Sequence, residues 1–163
     1  MKKLLLLVVA VVFGIGTMFA DPVDVNTAKT LGQKFVQANF EQTRNANLEL
    51  VYTVMSDGGE ACVYVFNVGD NGFVMISATD NVRPVLAYSE ESSFDGSNPY
   101  NGIMYMLDTY KNSISYAIEK NIVATPDVVG EWKSLENNGK LSNKRANKVG
   151  PLVETKWNQN NPY

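Results

Sequence analysis

The sequence predicts an α+β fold: an antiparallel four-stranded meander packed on one face by two main helices. Three observations carry that expectation. Apolar residues recur at helical spacing near the start of the fold and again after residue 100. Between them lie four short runs rich in β-branched and aromatic residues, separated by Gly, Asn and Asp turn clusters. Finally, strands grouped together, not alternating with helices, suit an antiparallel sheet with helices laid against it.

Residues 1–20 stand outside this fold. Lys2 and Lys3 form a basic start, Leu4 to Phe13 is an unbroken apolar run, and Gly14 to Ala20 is a small-residue stretch before Asp21-Pro22. This is the layout of a secretory signal peptide, with Ala20 preceding the expected cut and Gly14-Ile15-Gly16 offering an alternative one. Removal of the leader leaves no expected membrane span and an exported chain of 143 residues, with 12 basic against 17 acidic side chains.

The first helix is predicted over 27–40, with Asn26 or Thr27 as N-cap and Ala28, Leu31, Phe35 and Ala38 on its apolar face. The polar segment Arg44–Asn47 reads as a loop. Leu48–Met55 is the first strand, and Ser56-Asp57-Gly58-Gly59 is a turn. Ala61–Val68 is the second strand, apolar on both faces, with Ala61, Val63 and Val65 on one and Cys62, Tyr64 and Phe66 on the other. Gly69-Asp70-Asn71-Gly72 is a hairpin signal, because Asn-Gly tolerates positive φ. Phe73–Ala78 is the third strand. Val82–Tyr88 is the fourth, where Pro84 favours an edge position or a bulge. Asn98 then caps a long helix over 99–120. Pro99 occupies its first position, and Ile103, Leu107, Tyr110, Ile114 and Ala117 form a stripe. A further helix over 127–136 uses Val128, Trp132 and Leu135 and stops at Asn138-Gly139.

The division of the chain follows. After the 1–20 leader, residues 21–140 form the folded domain. Residues 141–149 are a basic linker with Lys144, Arg145 and Lys148, too polar to supply a core and open to proteolytic processing. Residues 150–163 begin another apolar segment with Leu152, Val153 and Trp157.

Composition narrows the chemistry. The 163 residues include no His and one Cys, with 14 basic and 17 acidic side chains. That excludes Ser/His/Asp and Cys/His catalysis within this chain and imidazole metal ligation. The acidic balance argues against nucleic acid as a partner. Cys62 lies mid-strand among apolar residues and reads as a buried structural thiol. Glu90-Glu91 reads as a solvated loop pair. Tyr105, Tyr110 and Tyr116 read as core and boundary packing. No P-loop, EF-hand or dinucleotide fingerprint occurs, so neither a cofactor nor a metal is expected.

Three segments taken together carry a resemblance. Tyr64-Val65-Phe66-Asn67, then Gly72-Phe73-Val74-Met75-Ile76-Ser77-Ala78, then Arg83-Pro84-Val85-Leu86-Ala87-Tyr88-Ser89 with Ser93-Phe94-Asp95, resemble the prosegment of the streptopain and interpain family of secreted bacterial cysteine peptidases. Val25-Asn26-Thr27-Ala28 with Phe35 resembles that prosegment's first helix. The tail from Val149 through Trp157-Asn158-Gln159 to Pro162-Tyr163 resembles the first residues of the mature peptidase. In that family the catalytic Cys and His lie further downstream, so a prosegment without His is expected. Cys62 does not match the family nucleophile.

The resemblance implies an inhibitor of a streptopain-like cysteine peptidase, acting in cis as the front of a zymogen or in trans on a separate enzyme. A prosegment loop would displace the catalytic His, and an Asn side chain would enter a substrate subsite. The position matching that Asn is Asn101, counted from Phe94; counting back from Tyr110 gives Gly102, Asn98 is a second candidate, and Phe94 itself is a further expected contact residue. A non-inhibitory secreted binding module and a non-functional remnant are the competing readings.

Overall fold

A computed structural model describes residues 21–97 and 102–142. Helix α1 spans Val25–Asn39. Its N-cap is Asp24, not Asn26 or Thr27: Oδ1 accepts the backbone N–H groups of Asn26 at 2.8 Å and Thr27 at 3.1 Å, and Oδ2 accepts the Thr27 hydroxyl at 2.6 Å. A carboxylate satisfies those orphan donors and also sits favourably at the positive end of the helix dipole. The Thr27 hydroxyl and these backbone bonds hold the Asp24 carboxyl below its ordinary pKa.

Four strands follow, β1 (Leu48–Met55), β2 (Ala61–Val68), β3 (Phe73–Ser77) and β4 (Val85–Ser89), hydrogen-bonded in the order β1-β2-β3-β4 and antiparallel throughout. The meander and the α+β class are as the sequence predicts. β4 starts three residues later than expected, immediately after Pro84, which has no N–H to give to a ladder. It is an edge strand and carries a bulge: Met75 pairs with Ala87 and Ile76 with Val85, leaving Leu86 unpaired.

A second irregularity changes where Cys62 points. Val54 pairs with Val63 and Met55 with Ala61, so Cys62 has no partner across the ladder. The bulge turns Cys62 to the same side as Val63 and Val65, away from Tyr64 and Phe66. Strict alternation had placed it with Tyr64 and Phe66; the inserted residue breaks the period of two.

Helix α2 runs over Gly102–Glu119 and α3 over Pro126–Asn138. Their placement corrects the expectation that the helices share one face. One core cluster joins Ala28, Leu31, Phe35 and Val36 of α1 to Phe66, Val68, Val74 and Ile76, with Trp132 and Leu135 of α3. A second joins Leu107 and Ile114 of α2 to Val63, Val65, Phe73 and Met75. The sheet therefore lies between α1 with α3 on one side and α2 on the other. The cause is visible in β2 and β3, where residues of both parities are fully or nearly fully buried. A sheet apolar on both faces needs cover on both.

α3 begins one residue earlier than expected. Thr125 caps it by accepting the Val128 N–H, and Pro126 fills its first turn. It ends at Gly139, which adopts φ 72° and donates its N–H to Leu135 O at 3.0 Å. Two bonds tie this end to α1: Lys34 Nζ donates to Glu136 O at 2.7 Å, and Asn39 Nδ2 donates to Gly139 O at 2.9 Å. Trp132 Nε1 donates to Val82 O at 2.8 Å, which fixes α3 against the entry to β4.

Candidate inhibitory loop

The segment after β4 is the place where the sequence expects partner contacts. It leaves the sheet at Ser89, whose Oγ accepts the Glu91 N–H at 3.2 Å, and runs to Ser97. Its fixed point is Phe94. The side chain of Asn67 on β2 grips the Phe94 backbone at both polar atoms: Oδ1 accepts the Phe94 N–H at 2.8 Å and Nδ2 donates to the Phe94 carbonyl at 3.3 Å. The carboxamide stands in for one residue of a neighbouring strand, satisfying a half-buried backbone unit that the sheet does not reach.

The Phe94 ring is buried at 5 % exposure. It packs against Tyr52 with centroids 5.6 Å apart and meets Phe73 edge-on at 6.5 Å. Gly96 lies against the same rings: a Cβ there would fall 3.0 Å from Phe94 Cε1 and 3.4 Å from Tyr52 Cδ2. Beyond the anchor, Asp95 Oδ1 accepts the Ser97 N–H at 2.9 Å, closing a local turn. Bonds from the Ser97 side chain and backbone hold the Asp95 carboxyl below its ordinary pKa.

The loop is thus pinned at residue 94, turned at 95–97, and continued after 101 by α2. α2 itself is held by Leu107 and Ile114 in the core and by Tyr110, whose hydroxyl donates to Leu86 O at 2.9 Å on β4. The described chain is thus supported at Phe94 before this gap and at α2 after it. Asn98 and Asn101 lie outside the described residues, as do Ala20, Lys144, Arg145, Lys148 and the tail with Trp157. Of the expected contact residues, Phe94 alone is described, and its ring is inside the core.

The sequence reading missed Asn67 and Tyr52 as loop supports. A polar Asn at the end of an otherwise apolar strand was a signal, since an amide at a part-buried position needs partners. It also grouped Tyr105 and Tyr116 with Tyr110 as packing residues. Tyr105 is 79 % exposed in the first turn of α2, beside the end of the loop, and Tyr116 is also exposed.

Cys62 is fully buried, with Sγ 3.5 Å from Ser115 Oγ. Among the described residues, no three His, Cys, Asp or Glu side chains gather to hold a metal ion. Among the same residues, no helix is long and apolar enough to cross a membrane.

Comparison with known proteins returns one family and otherwise nothing. No curated protein and no solved structure matches the chain. The family model described as Spi protease inhibitor matches residues 20–114, more than half of the sequence. The match takes in α1, the whole sheet, the Phe94 loop and most of α2. By that match, this chain belongs to the Spi protease inhibitor family.

Proposed function

We propose that the chain is exported and inhibits a streptopain-type cysteine peptidase through the segment that follows Phe94. The family match, which spans the sheet and the anchored loop, carries the inhibitory part of this reading. The resemblance of the 64–67, 72–78 and 83–95 blocks to streptopain prosegments supplies the enzyme class.

The physical logic is one of mounting. An inhibitor that enters a substrate cleft loses less entropy on binding if its loop is already held. Here Asn67 and the Tyr52–Phe94–Gly96 cluster hold one side, and the packed α2 holds the other. Asn101, or Asn98, then enters a subsite, and Tyr105, exposed in the first turn of α2, adds aromatic surface to the contact. A cysteine peptidase depends on a thiolate stabilised by an adjacent imidazolium. A loop that pushes the His aside returns the proton to the thiol and stops the enzyme.

The basic segment with Lys144, Arg145 and Lys148 is where the inhibitor would be cut from an enzyme following it in cis. In trans, the described helices and strands, the last of which ends at Asn138, act without a following enzyme.

The mechanism is tested on the enzyme's thiol. Saturating chain is added to an active streptopain-like peptidase, and alkylation of the catalytic thiol by a small uncharged reagent is timed. Separation of the pair predicts a loss of at least about tenfold in alkylation rate at neutral pH. Full inhibition of peptide hydrolysis with an unchanged alkylation rate would leave cleft occlusion and remove His displacement. A non-inhibitory binding module would change neither rate.

A further inference from the structure

The first described residues are knitted into the domain from Asp21 onward. The Asp21 N–H donates to Asp80 Oδ1 at 2.8 Å, and the Asp80 N–H returns a bond to Asp21 O at 3.2 Å. Pro22 bridges Thr79 in antiparallel fashion, and the Val23 N–H donates to Ala78 O at 2.9 Å. Residues 21–23 therefore lie along 78–80 as a short extra strand, and Asp24 caps α1 directly afterwards. The expected leader cut falls at the start of this pairing.

We infer that cleavage between Ala20 and Asp21 creates an ion pair, the new α-ammonium of Asp21 with the Asp80 carboxylate, which fastens the N-terminus of the exported chain to the turn between β3 and β4. This rests on the export reading but not on inhibition. In the uncut chain the nitrogen of Asp21 is an amide and gives Asp80 a neutral–ionic bond. A signal peptidase adds water across the Ala20–Asp21 peptide bond, leaving a carboxylate on Ala20 and an amine on Asp21. An α-amine has an ordinary pKa near 8, so it takes up a proton at neutral pH. The hydrogen bond already aimed at Asp80 then joins two full charges, and such bonds are shorter and stronger. The alternative cut near Gly16 would keep the amide, so the pair depends on which bond is cut.

The surroundings are mixed in charge. The Asp21 and Asp80 side chains share a groove of about 310 Å³ with Lys133 and Glu136 of α3 and with Thr27. On the other side of residues 22–24 lie Asp24, Glu60 and Tyr64. Lys133 and Glu136 offset one another, and the remaining carboxylates favour a cation at the nitrogen.

The test uses the chain expressed with its leader and recovered after export. Intact mass and N-terminal sequencing are expected to give Asp21 as the first residue. Acylation of the α-amine by an amine-selective reagent at pH 7 is then compared between the native chain and Asp80→Asn. Asn keeps an oxygen acceptor and removes only the charge. The pair predicts acylation about three- to tenfold faster in Asp80→Asn. A chain with one Ala added before Asp21 should label at the same rate with or without Asp80→Asn. Recovery of an uncut chain would overturn both export and the pair. A first residue other than Asp21, or equal acylation of the native and Asp80→Asn chains, would overturn the pair while leaving inhibition to its own assay.

Discussion

Asn67 and Phe94, 27 positions apart, are joined by two hydrogen bonds between the Asn67 carboxamide and the Phe94 backbone, at 2.8 and 3.3 Å. The contact is the mechanical link between the sheet and the loop. Asn67 is rigid because it sits in the ladder between β1 and β3, opposite Glu49 and Phe73. Its side chain transfers that rigidity to a segment with no ladder of its own.

Removing the carboxamide should separate stability from inhibition. Asn67→Ala strands a half-buried N–H and C=O on Phe94, at a cost of about 1–3 kcal/mol. The domain should still fold, with a lower midpoint in thermal denaturation. Inhibition should weaken more than tenfold, because the loop must then be ordered on binding. A full loss of stability with unchanged inhibition by the folded fraction would contradict this role.

Phe94→Ala removes a buried ring from the Tyr52–Phe73 cluster and should cost about 3–5 kcal/mol in denaturant unfolding. Phe94→Leu keeps most of the apolar volume and should lose less than half as much. If the ring instead belonged to the contact surface, both variants would retain native stability and lose inhibition.

Gly139 tests the docking of α3. Its φ of 72° disfavours a side chain, and a Cβ would lie within van der Waals overlap of the Lys34 carbonyl. Gly139→Ala should destabilise by about 2 kcal/mol or more, through strain at the helix end and displacement of α3 from α1. Denaturant titration followed by Trp132 fluorescence reads this directly, since Trp132 is buried in the α1–α3 core.

Asp24 predicts a pH dependence. Its carboxyl is held below the ordinary value by Thr27 and the first-turn N–H groups. The folded state therefore binds a proton less readily than the unfolded chain. The stabilisation is present above the ordinary carboxylate range and is lost as pH falls through the depressed value. Asp24→Asn keeps the cap but has no proton to take up. Thermal midpoints of the native chain should fall more steeply than those of Asp24→Asn on acidification from pH 5 to pH 2.

The strands were legible because their signals are local. β1 and β2 have the expected bounds, and the Gly-Asp-Asn-Gly turn leads into β3 as read. The layer arrangement was not, although β2 showed apolar residues on both faces. Nothing local says which face a helix elsewhere in the chain will cover. Cys62 was misplaced for a related reason: a bulge is set by the pairing of two strands, and one strand read alone shows only its alternation. At the loop, the two blocks that hold Asn67 and Phe94 are legible in the sequence, but the contact between them is not. It depends on β2 passing beside the chain after β4, which is a property of the folded sheet.

Inhibition itself is most directly tested by titration. The chain from Asp21 to Tyr163 is added in increasing amounts to a fixed concentration of an active streptopain-like cysteine peptidase, and hydrolysis of a peptide substrate is followed. Activity is predicted to fall in proportion to added chain and to vanish near equimolar inhibitor, with Asn101→Ala shifting the curve to higher concentration. Undiminished hydrolysis at micromolar excess of folded chain would contradict the account.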